Sequence, residues 1–143
     1  MYQGVDLAVV KLQNTRGLPT AFLLERELNP DGESVVAVAH QLAGRNDFKK
    51  ILVQGGGAPA NFTGFYDPNY PNLREKDLYS FAFGDTRDNS ELIFAGISGA
   101  GLFTQDGKLA GLVKGQEHAL SQKGIGVLGI ALKSTMITQL LLE

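Results

Sequence analysis

The chain has 143 residues, of which 43% are hydrophobic and 20% charged, with a formal net charge of −2. This suits one domain with a core large enough to need no covalent staple, and no cluster of Lys or Arg offers nucleic acid an electrostatic footprint. There is no cysteine, which removes disulfides, thiolate metal sites and a thiol nucleophile.

The first twelve residues, MYQGVDLAVVKL, carry an acid inside a short apolar run and no small-residue cleavage site, so they do not read as a signal peptide. No apolar run approaches the roughly 20 residues that span a bilayer, and a soluble protein is expected. Residues 5–12 read as a first strand. Asn29-Pro30-Asp31-Gly32 has the composition of a turn. Short runs rich in Val, Ile, Leu and Phe then predict strands at 34–40, 49–54, 78–83, 100–104, 108–114 and 125–131. Gly55, Gly56, Gly57, Pro59, Pro68 and Pro71 punctuate residues 55–76, which are expected to form a long loop. Asp106-Gly107 lies between two apolar runs and predicts a hairpin, because its second residue must take positive φ. Ser134 is expected to cap a terminal helix with Met136, Ile137, Leu140 and Leu141 on one face. The result is an all-β chain with one C-terminal helix.

Two patterns carry less than they first suggest. Residues 124–129 match G-x-G-x-x-G, but a dinucleotide site also needs a following helix and an acid about 20 positions on. Gly55-Gly56-Gly57 lacks the Gly-Lys-Ser/Thr of a phosphate loop. His40 and His118 have no carboxylate at metal-ligand spacing, so neither a metal nor a cofactor is implied.

Two segments make more sense together than apart. Gly4-Val5-Asp6-Leu7-Ala8-Val9-Val10-Lys11-Leu12 opens an apolar strand with a carboxylate, which is costly to bury without a purpose. Ala95-Gly96-Ile97-Ser98-Gly99-Ala100-Gly101-Leu102-Phe103 holds a serine among small residues, ahead of the hairpin and Gly111-Leu112-Val113. The pair resembles the acid and nucleophile segments of trypsin-like, chymotrypsin-fold serine peptidases, above all their bacterial HtrA-like branch. Residues 32–42 (GESVVAVAHQL) and 126–131 (GVLGIA) resemble two further segments of that family, in the same order. The resemblance implies a six-stranded Greek-key barrel, the second lobe of a double barrel, formed by residues 17–143. Residues 1–16 would be the last strand and linker of a first barrel.

The resemblance also implies site roles. Ser98 would be the nucleophile, and Asp6 would orient a catalytic histidine. Backbone N–H groups of Gly96 and Ser98 would form the oxyanion hole. Lys114, Gly115 and Gln116 would pair with an extended polypeptide substrate, and Leu92 would floor an apolar specificity pocket. Ile97, Ala100 and Gly101 depart from the family's pattern. The larger departure is the base. The family's order is His, Asp, Ser, yet both histidines here follow Asp6. His40 matches a loop position of the family rather than its base, and His118 is expected in a polar loop (GQEHALSQ) after the substrate-side strand. The histidine is therefore expected from an N-terminal lobe or companion chain, and these 143 residues alone are expected to be inactive. A lobe that has lost catalysis and binds peptide or protein is the other reading.

Overall fold

A computed structural model describes residues 4–44, 47–60, 68–83, 98–121 and 124–142. Six strands run in the order β1 (Glu33–Gly44), β2 (Asp47–Pro59), β3 (Leu78–Phe83), β4 (Gly101–Thr104), β5 (Leu109–Ser121) and β6 (Gly124–Lys133), followed by helix α1 (Ser134–Leu142). All neighbours are antiparallel, and the sheet closes as β1-β2-β3-β6-β5-β4. Two overlapping Greek keys make up this order: β4 returns beside β1, and β3 lies beside β6. Closure leaves the barrel wall without the free edges of an open sheet.

Where β3 and β6 meet, the wall is buried on both faces, which explains the apolar runs there. Inside the barrel lie Val35, Ala37, Tyr79, Phe81, Leu102, Ala110, Val113 and Ala131, with Leu24 and Leu28 packed onto them. Phe81 fills the space over Gly129, where a Cβ would stand 2.2 Å from the ring. Tyr79 is fully buried, and its hydroxyl accepts a hydrogen bond from the Leu28 N–H at 3.1 Å. On the outer face, Leu78, Ile130 and Leu132 pack with Val5, Leu7, Leu73 and Ile137. Along β3 and β6 residues alternate between the two clusters, as the pleat requires: Ile130 and Leu132 face outward while Ala131 faces inward.

An arm, residues 4–24, wraps the outside. It is fastened at one end by Val5 and Leu7. At the other, Leu24 N–H donates to Leu109 C=O, and Leu109 N–H to Phe22 C=O, each at 2.8 Å. Between these points Val9, Val10, Leu12 and Leu18 are exposed.

Four expectations change. The stretch around His118 is not a loop, since β5 runs on to Ser121 and residues 115–121 pair with β6. Residues 5–12 do not form a strand: Leu7 alone of them makes a β-bridge, and Gly4 to Asp6 form a turn. Strand propensity needs a ladder to join, and the described residues give 8–12 none. Gly55 to Gly57 are not loop but part of β2, paired with β1 and β3. The small residue is needed at Gly57, where a Cβ would lie 3.2–3.5 Å from Leu28, Val35 and Phe81. Ser134 does not cap the helix. It is the first helical residue, fully buried, and its Oγ donates to the Leu24 carbonyl at 2.7 Å. The two turn signals hold: Gly32 and Gly107 both take positive φ.

Candidate functional site

Asp6 and Ser98 line the same cleft, of about 410 Å³, with Leu7, Ala8, Gly99, Leu112, Val113, Lys114 and Leu132. Each reaches it for a local reason. Val5 and Leu7 bury themselves in the outer cluster, which carries Asp6 between them to the barrel wall. Ser98 sits in the turn before β4. That turn is tied to β5 by Gly99 N–H to Val113 C=O (2.6 Å) and Val113 N–H to Ala100 C=O (2.8 Å). Gly99 takes φ +88°, a conformation that a side chain would strain.

Lys114 joins the two. Ser98 Oγ donates to the Lys114 carbonyl at 3.1 Å. The Lys114 ammonium lies 3.0 Å from Asp6 Oδ2 and 3.3 Å from the Val5 carbonyl. It also stands 4.2 Å above the centre of the Tyr70 ring, within cation–π range. The hydrogen bond from Lys114 holds the Asp6 carboxyl below its ordinary value, against an opposing effect of burial, and the charge of Lys114 and the Tyr70 hydroxyl add to it. Asp6 remains 57% exposed at its side chain, so its unengaged lone pairs face solvent. Lys114 Nζ is directed at Asp6 and the Val5 carbonyl while Ser98 Oγ meets the Lys114 backbone carbonyl, so Lys114 as arranged here is a partner for Asp6 and not a base for Ser98.

No protein-family model, curated protein or solved structure matches the chain. The site is therefore read from its own residues.

The cleft brings together three of the residues expected from sequence: Asp6, Ser98 and Lys114. Gly115 lies beside them on β5, opposite Ile130, and Gln116 opposite Gly129. Gly96 and Leu92 lie outside the described residues. His40 pairs with Lys50 across β1 and β2, and His118 with Val127 across β5 and β6. His118 is four strand positions beyond Lys114, about 13 Å along the chain at strand rise. Among the described residues no group of three or more metal-ligating side chains occurs, and no helix is long and apolar enough to cross a membrane. Sequence reasoning assigned Lys114 through its backbone alone and missed Tyr70. A tyrosine in a Pro/Asn-rich stretch gives no pattern that points to an acid.

Proposed function

We propose that this chain is the acid- and nucleophile-bearing lobe of a serine endopeptidase of the chymotrypsin type. The observation that carries this reading is the convergence of Asp6 and Ser98, distant in sequence, on one cleft. In the proposed reaction Ser98 Oγ attacks the peptide carbonyl and forms an acyl-enzyme, which water then hydrolyses. A histidine from residues outside these 143, on an N-terminal lobe or companion chain, takes the Ser98 proton and returns it to the leaving amine. Asp6 receives the imidazole N–H and stabilises the imidazolium that forms. The substrate strand pairs with residues 114–116, and the exposed stretch of the arm faces the histidine lobe.

A non-catalytic peptide-binding lobe is the second reading. It is favoured by one observation: both polar groups are satisfied without a histidine, Ser98 by the Lys114 carbonyl and Asp6 by the Lys114 ammonium.

A fluorophosphonate that acylates activated serines separates the two. The 143-residue chain alone is expected to stay unlabelled, since loss of one member of such a unit costs about 10⁶ in kcat. With the histidine-bearing lobe it is expected to label, and Ser98→Ala abolishes the signal. Robust labelling of the chain alone at Ser98 would show that no external base is needed. An unlabelled Ser98 in the assembled protein leaves the binding-module reading.

A further inference from the structure

Lys114 occupies an unusual position in the strand. In the β5–β6 ladder Val113 pairs with Ala131 and Gly115 with Ile130, so Lys114 is the extra residue of a β-bulge. A bulge breaks the alternation of the pleat and re-aims the side chain it carries. This one sends Lys114 across to the arm, where its side chain is only 12% exposed.

The acid that it reaches is itself unusual. Asp6 is the one non-glycine residue at positive φ (56°) among the described residues. That backbone region strains a non-glycine residue and persists only where surrounding contacts fix it. Those contacts come from Lys114 and from residues 70–73. Leu73 packs with Val5 and Leu7, and the Asn72 side chain lies against Gly4, itself at φ +85°. Tyr70 lies under the Lys114 ammonium, which in turn pairs with the Asp6 carboxylate. The ring backs the cation, and the cation holds the acid.

We propose that Lys114 and Tyr70 are positioning residues for the Asp6 carboxylate: Lys114 fixes its direction through the ion pair, and the Tyr70 ring fixes the ammonium. The catalytic meaning of this rests on the peptidase reading above, whereas the positioning is a property of the chain itself. Lys114 thereby acts twice, through its carbonyl on Ser98 and through its ammonium on Asp6.

The test follows the Asp6 side-chain carboxyl by carbon-13 NMR as pH is lowered, in the whole chain, with amide spectra to confirm that each variant is folded. Wild type titrates below the ordinary aspartate value of about 3.9. Lys114→Met moves the titration up towards that value, and Lys114→Arg keeps it low. Tyr70→Leu moves it up, and Tyr70→Phe, which keeps the ring, moves it less. An Asp6 titration unchanged in folded Lys114→Met overturns the proposal. In the assembled protein, Lys114→Met slows fluorophosphonate labelling of Ser98 by roughly 10- to 100-fold, as expected for a misplaced catalytic group, and Lys114→Arg restores most of it. Unaltered labelling in Lys114→Met also overturns the proposal. If wild type never labels while the titration still moves in Lys114→Met, the positioning stands and the peptidase reading falls.

Discussion

The barrel interior and the wrapping arm are built on opposite plans. Inside, every apolar group has a neighbour fitted to it: Phe81 lies over a residue that must be glycine, and Tyr79 spends its one polar atom on Leu28. The arm is held at its ends and open along its middle, where Val10 is 76% exposed; near its far attachment Phe22 is 81% exposed. Apolar surface of that kind, gathered in one segment, marks a place for association rather than a stable solvent face. The two regions meet at Asp6, between the two residues that fasten the arm. Stability and function are therefore separable in this molecule. Interior substitutions should unfold it, and arm substitutions should leave it folded but alter what it binds.

The sharpest way to break that separation is Phe81→Ala. It should cost about 3–5 kcal/mol in urea unfolding, because the ring is fully buried and the site cannot collapse around it. Gly129→Ala presses from the other side. Its new methyl would overlap the Phe81 ring, and a loss of about 1–3 kcal/mol is expected. Tyr79→Phe keeps the ring but leaves the Leu28 N–H without its acceptor, for a cost of about 1–3 kcal/mol. Burial also raises the Tyr79 hydroxyl above its ordinary value. The neutral phenol is then the folded form. Its contribution is full below about pH 10 and is lost as pH rises further, which alkaline melts of wild type against Tyr79→Phe can measure.

Asp6 gives a smaller, opposite pH effect. Its carboxyl is lowered in the folded state, so the contribution of its pair with Lys114 is present above about pH 4 and lost as pH falls through the folded value. With the acid this exposed, the effect should stay under about 1 kcal/mol, seen as a slight convergence of wild-type and Asp6→Asn melts in acid. Val10→Ser should be the mildest, within about 0.5 kcal/mol for the chain alone. The same change should weaken capture of the histidine-bearing lobe. Unaltered capture would break the assignment of the arm as the contact.

Much of the barrel was legible because each strand contains a short apolar run, several of them set off by Gly, Asn and Asp, whose conformational needs are local, although β1, β2 and β5 run well beyond those cores. The hairpin at Asp106-Gly107 and the turn at Gly32 follow from single residues. The errors came where a residue answers to distant neighbours. Three glycines in a row resemble a loop until Leu28, Val35 and Phe81 are seen crowding Gly57. Residues 5–12 are apolar like a strand, but beyond the bridge at Leu7 the described residues offer them no ladder to join. The serine and the acid could be picked out because small residues around one and apolar residues around the other are visible in sequence. Tyr70 could not, because its part depends on a cation that a bulge swings towards it.

That bulge has one more consequence, for the length of the chain rather than its composition. Gly115 already pairs opposite Ile130, directly after the Val113–Ala131 pair, so the ladder closes over position 114 as though it were not there. Deleting residue 114 would leave every later residue of β5 on its present face and in its present pairing. The deletion would remove a carbonyl and an ammonium, and the sheet would register no slip. Position 114 is spare to the barrel: the Ser98, Asp6, Val5 and Tyr70 that Lys114 contacts all lie off the strands.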